Sequence, residues 1–157
     1  MNPIEKSLQV SLNQAEAFML FTDGINSWWP LATHSVLGAQ AVSCTVEPHA
    51  GGRIYETGPG ERQILWGAVI AWEPYSRLVC SWHPGREVDS AQEVEVLFEA
   101  HVAGTRIVLR HRGWEKLGDQ AESNRRRYDT GWDTVLGDCY LKAAENTRQQ
   151  SKGVDRE

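Results

Sequence analysis

Residues 121–146 constrain this chain more than any other stretch. Tyr128, Trp132, Val135, Leu136, Cys139, Tyr140 and Ala143 recur at spacings of three, four, seven and eight, the period of one face of an α-helix. Arg126, Arg127, Asp133, Thr134, Asp138, Lys142 and Glu145 make up most of the other face. A helix of this length spans about 39 Å at roughly 1.5 Å per residue, the width of a small domain. Gly131 sits in its middle beside Trp132, where glycine costs about 1 kcal/mol relative to alanine. A bare backbone patch suits the close approach of another element or of a ligand.

What precedes the helix reads as a sheet built to wrap it. Residues 4–12 alternate apolar and polar, broken only by Lys6, and predict a half-buried strand. Asn13 followed by Glu16 is a capping-box start for a helix that carries Ala17, Phe18, Phe21 and Ile25 on one side. A short turn with Trp28-Trp29-Pro30 follows, and 31–41, which has no period, reads as a loop. Strands are predicted at 42–46, 53–57, 63–72, 77–83, 92–101 and 105–112, separated by glycine and proline turns. The order is strand, helix, short helix, six strands, long helix, which gives an α+β domain. A seven-stranded antiparallel sheet has one face to bury, and the long helix has one face to bury it with. The sheet must curl for one helix to cover it, leaving a space that the short helices near Trp28 and Trp29 can close at one end. One domain over 1–147 and a polar, frayed tail over 148–157 complete the expectation.

Composition removes several function classes. A net charge of −5 argues against a nucleic-acid partner, which needs a basic face. The one dense basic run, Arg125-Arg126-Arg127, reads as a solvated helix start. Cys44, Cys80 and Cys139 are far apart and odd in number, as expected of reduced thiols in a cytoplasmic protein. There is no signal-peptide pattern, and no apolar run near the ~20 residues a span requires, so no stable membrane insertion is expected. No nucleophile elbow, phosphate loop or metal-ligand spacing occurs, and no metal or cofactor is expected. His49 and His101 read as solvated, and a solvated Glu56 is expected, although strand 53–57 is too short to fix its facing. Seven tryptophans, at 28, 29, 66, 72, 82, 114 and 132, imply either a bulky core or a cavity with aromatic walls.

Read together, the motifs resemble a known superfamily. Phe21-Thr22-Asp23-Gly24-Ile25, Trp28-Trp29-Pro30, Gly51-Gly52-Arg53-Ile54-Tyr55-Glu56, Trp66-Gly67-Ala68-Val69, Trp72-Glu73-Pro74, His111-Arg112-Gly113-Trp114 and Gly131-Trp132 occur in order. Over about residues 4–145 the chain is similar to the superfamily of START lipid-transfer domains, birch-pollen-type allergens and polyketide cyclases (SRPBCC). Within it, the chain resembles the branch of the C-terminal domain of the activator of heat shock protein 90 ATPase. The resemblance implies the helix-grip fold and a cavity between helix and sheet. Its lining is then expected from Trp28, Trp29, Tyr55, Trp66, Trp82, Val96, Phe98, Leu109, His111, Tyr128, Trp132, Val135, Leu136 and Cys139.

Three functions follow as expectations. The first is binding of a hydrophobic or aromatic small molecule in that cavity. The second is an enzyme that cyclises, hydrolyses or dehydrates a hydrophobic substrate, with His111 and Tyr128 as polar contacts. No nucleophile–base pair is visible for it. The third is a chaperone-interacting or stress-response module, although the co-chaperone's additional domain and charged docking surfaces are not evident. His111 itself has two readings: a wall histidine satisfied by a hydrogen bond, or a group that orients a ligand or moves a proton. Should the tryptophans fill the space, the protein is a scaffold with no interior site.

Overall fold

The computed structural model describes residues 1–155, with side chains described through Arg148. In chain order it contains β1 (Ile4–Val10), α1 (Gln14–Phe21), β2 (Ser43–Val46), β3 (Arg53–Thr57), β4 (Gln63–Glu73), β5 (Arg77–Trp82), β6 (Gln92–His101), β7 (Gly104–Arg112), α2 (Ala121–Trp132) and α3 (Leu141–Asp155). Single 3₁₀ turns at Ile25–Ser27 and Gly38–Gln40 punctuate the long connection from α1 to β2. The strands form one antiparallel sheet in the order β1-β7-β6-β5-β4-β3-β2. This is the α+β helix-grip architecture, and β6 and β7 form the expected hairpin, with Val96 opposite Leu109. Among the described residues, no helix is long and apolar enough to cross a membrane.

The local signals have physical counterparts. Asn13 caps α1: its Oδ1 accepts from the Glu16 amide at 2.8 Å, and Glu16 accepts in return from the Asn13 amide at 3.1 Å. Lys6, the one break in the first strand's pattern, turns towards the long helix. Its Nζ lies 2.9 Å from both Asp129 and Asp133. The sheet curls at β4, whose first half pairs with β3 and second half with β5, with register shifts in both pairings. A Cβ on Gly67 would stand 1.8 Å from the carbonyl oxygen of Ser81. The two backbones cross too closely there for any other residue.

Between α2 and α3 the helix continues without interruption through a π-helical segment, Asp133–Tyr140, which ends with the Leu141 amide donating to the Leu136 carbonyl five residues back. Wider turns shift the buried stripe. It runs through Trp132, Leu136, Tyr140 and Ala144, whereas Cys139 and Ala143, placed on it by the α-helical period, are only half-buried. The expected tail, 148–157, is helical as far as Asp155, and its last two positions lie outside the described residues.

One end of the space between sheet and helix is full. Phe18, Phe21, Trp28, Phe98 and Tyr140 pack edge to face or tilted there, with centroids 5.0–5.7 Å apart. The Tyr140 hydroxyl donates to the Ala17 carbonyl at 2.8 Å and ties the long helix to α1. The other end, around Trp132, is where the site forms.

Candidate functional site

Four tryptophans from four separate segments meet around one opening. Trp29 follows the first 3₁₀ turn, Trp66 lies on β4, Trp82 ends β5 and Trp132 ends α2. Their rings form a closed circuit: 5.2 Å from Trp29 to Trp66, 5.7 Å to Trp82, 5.8 Å to Trp132 and 6.0 Å back to Trp29. Beside them is a cavity of about 350 Å³, bounded also by the 33–36 loop, by Pro84 and Arg86 beyond β5, and by Arg127, Tyr128, Gly131 and Val135 of the long helix.

Three of the four indole N–H groups are used to hold the wall. Trp29 donates to the His34 carbonyl at 2.8 Å. Trp66 donates to Glu56 Oε1 at 2.6 Å, and Trp132 donates to His111 Nδ1 at 3.0 Å. The fourth differs. Trp82 is 6% exposed, and its Nε1 has no partner among the described residues. A buried donor left without a partner costs about 1–3 kcal/mol. Tyr128, also on the wall, lies close by. Burial pushes its phenol up in pKa, while the Trp82 indole and the Arg127 and Arg86 charges offset this in part. The Trp82 N–H still falls short of hydrogen-bonding geometry with it.

Glu56 overturns the expectation of a solvated carboxylate. It is fully buried, and besides Trp66 it accepts from the Val36 amide at 2.7 Å and the Leu37 amide at 3.0 Å. Alternation along β3 turns Ile54 and Glu56 inward together. The carboxylate thus pins one wall tryptophan and the loop opposite it. Cys44, buried beside it, has its thiol pushed up to about 12 by burial and then by the Glu56 charge.

The mouth carries positive charge. Arg86 donates to Gln120 Oε1 at 3.2 Å and Asn124 Oδ1 at 3.3 Å, and Arg127 donates to the same Asn124 oxygen at 2.6 Å. The His34 ring faces the bare backbone of Gly131, where a Cβ would lie 3.8 Å from Nε2. His34 Nδ1 is engaged by the Thr33 hydroxyl at 2.7 Å.

Of the expected lining, Trp29, Trp66, Trp82, Tyr128, Trp132 and Val135 stand on this wall. The others do not. Trp28, Val96, Phe98, Leu109 and Leu136 belong to the packed core, because the aromatic cluster fills that end of the groove. Tyr55 sits on β3 under the Arg53 guanidinium, 4.8 Å from its ring centroid, and Cys139 lies at the helix flank. His111 is fully buried behind Trp132, its ring tilted against Trp114 with centroids 4.1 Å apart, and its Nε2 lies 3.2 Å from Gln92 Oε1. Burial pushes its pKa down to about 3, so near neutral pH it is an uncharged brace for Trp132.

Sequence reasoning missed Thr33, His34, Ser35, Val36, Pro84, Arg86 and Arg127 as wall residues. All but Arg127 lie in connections without periodicity, and Arg127 was absorbed into a basic run. Gly131 alone gave a signal, as a costly glycine beside a tryptophan.

Among curated proteins, none matches the sequence. Among solved structures, an anthrahydroquino-γ-pyrone synthase, Txn09, is 30% identical over 82% of this chain and 88% of its own, with a TM-score of 0.58. The self-sacrificing resistance protein CalC from Micromonospora echinospora shares the fold at 24% identity, covering 93% of this chain and 96% of its own, with a TM-score of 0.66. An AHSA1-like protein from Aeromonas hydrophila does so at 18% identity, over 92% and 93%, with a TM-score of 0.63. The family model described as activator of Hsp90 ATPase homolog 1-like protein matches residues 12–140, and the chain belongs to that family.

Proposed function

We propose that this protein binds a compact polycyclic aromatic molecule in the tryptophan-walled cavity. The observation that carries this reading is the circuit of four indoles, with one buried N–H left unpartnered beside the cavity. At about 350 Å³ the space falls near the lower end of ligand pockets, which run from about 300 to 1,000 Å³. Flat aromatic walls favour flat aromatic guests. The likeness to a synthase named for an anthrahydroquino-γ-pyrone supports the same class of molecule. A cytoplasmic location is part of the reading and rests on the free thiols of Cys44, Cys80 and Cys139. A chaperone contact, suggested by the family's description, would not draw on these walls.

The test is titration with 1,8-dihydroxyanthraquinone, following tryptophan emission. Saturable quenching with one site per chain, weakened by Trp82→Phe, is expected. Absence of saturable quenching in the wild type would sink the reading.

A second reading, chemistry on such a molecule, is favoured by His34 and Tyr128 standing on the same wall. His34 Nε2 and the Tyr128 hydroxyl could exchange protons with a bound enol or ketone, while enclosure fixes its orientation. Turnover of a polyketide-type triketone that survives both His34→Gln and Tyr128→Phe unchanged would remove it.

A further inference from the structure

The residues bounding the cavity show a one-sided chemistry. None is acidic. Their polar side chains are the hydroxyls of Thr33, Ser35 and Tyr128, the His34 imidazole, and the guanidiniums of Arg86 and Arg127, so the charged groups on this wall are cations. This occurs in a chain of net charge −5, where six of the twelve arginines have a glutamate partner among the described residues. Arg53, Arg77, Arg106, Arg110, Arg112 and Arg126 all pair with a glutamate. Arg86 and Arg127 do not pair with a carboxylate among the described residues. They converge instead on the single amide oxygen of Asn124. A neutral acceptor orients two guanidiniums without neutralising them, so two exposed like charges are held together at the edge of the cavity. An arrangement of that kind is relieved when an anion binds.

We propose, building on the cavity reading above, that the ligand is an acidic aromatic molecule. Its ring system lies among the tryptophans, and an ionised carboxylate or acidic enolate meets Arg86 and Arg127. The indoles supply affinity for any flat guest, and the arginine pair supplies selection for charge. Asn124 is the positioning residue: it aims both guanidiniums and has no reach into the tryptophan circuit of its own.

Two isosteric probes separate the two levels of the proposal: anthraquinone-2-carboxylate and anthraquinone-2-carboxamide. A charge-assisted, two-guanidinium contact should favour the carboxylate by about tenfold or more over the amide, and added salt should shrink the margin. The double variant Arg86→Gln/Arg127→Gln should bind the two probes with equal affinity. Arg126→Gln, which removes a cation paired with Glu122 away from the cavity, should leave the margin intact. Equal affinity for the two probes in the wild type overturns the acid-selective site and leaves the cavity reading standing. A margin that persists in the double variant also overturns it, because the charge would then be recognised elsewhere. Binding of neither probe overturns both readings.

Discussion

The indole N–H of Trp132 donates to Nδ1 of His111 across 3.0 Å, which commits the imidazole to the tautomer protonated at Nε2. A second proton would have to displace Trp132 and charge a fully buried ring, so the folded value drops from 6.5 to about 3. The unfolded chain therefore binds a proton that the folded one does not throughout that interval. Stability is fully present above about pH 6.5 and declines as the pH falls towards about 3. Between pH 6.5 and 5, above the carboxylate range, Tm should fall measurably, and His111→Gln should flatten that slope. A slope unchanged in the variant would show that another group causes it.

On the outer face of the sheet, Glu95 is the hub of a cross-strand charge ladder. Arg77 Nε lies 2.8 Å from it, Arg112 Nη2 2.9 Å and Arg110 Nη1 3.7 Å. Burial by itself would push its carboxyl up, but the Arg77 hydrogen bond and the charges of Arg77, Arg112 and Arg110 together hold it below its ordinary value of 4.5. The stability it contributes is present above that ordinary value and is lost as the pH falls through the lower, folded one. Glu95→Gln should cost about 1 kcal/mol at pH 7, modest because the guanidiniums are more than a third exposed and screened by solvent. The deficit should disappear in strong acid. Chemical denaturation at pH 7 and at pH 2.5 measures both; an equal deficit at the two pH values would mean that packing, not charge, is responsible.

Glu56 couples one wall of the cavity to its loop. Glu56→Gln places an NH₂ against at least one of the three N–H donors it now accepts from. Losing one hydrogen bond to a charged acceptor costs about 1.5–3 kcal/mol. The variant should be destabilised by an amount in that range, and the Val36 and Leu37 amides should exchange with solvent faster than other loop amides. Wild-type protection at both amides would show that the loop is held by its own backbone.

Much of the frame could be read from pattern alone. The Asn13–Glu16 cap, the alternation of β6 and β7 and the stripe around Trp132 are local, repetitive signals, and each found its element. The site was less legible because its determinants are neither. Glu56 lies on a five-residue strand, where a one-residue slip reverses the facing and the pairing with β4 shifts register next to it. Arg126 and Arg127 are adjacent and alike in sequence, yet one pairs with Glu122 and the other turns to Asn124 at the cavity. His34 lies in a loop without period, placed by the indole of Trp29 on its carbonyl and by Glu56 on the next residues. Which end of the groove stays open depends on how Phe18, Phe21, Trp28 and Tyr140 stack, a three-dimensional fit that no spacing records.

Gly131 allows stability and binding to be pulled apart. It costs the helix about 1 kcal/mol relative to alanine, and its φ is not in the left-handed region, so no backbone demand explains it. A Cβ there would meet only the His34 ring, at the ordinary van der Waals distance of 3.8 Å. Gly131→Ala should therefore raise stability by about 0.5–1 kcal/mol, visible as a higher Tm. Gly131→Leu should retain part of that helix gain while its side chain enters the space beside Trp132, reducing affinity for an aromatic ligand by an order of magnitude or more. If the cavity is the binding site, the two variants rise together in stability and separate in binding. If leucine binds the probe as well as alanine does, the guest does not lie against this turn of the helix, and the site must be sought elsewhere on the fold.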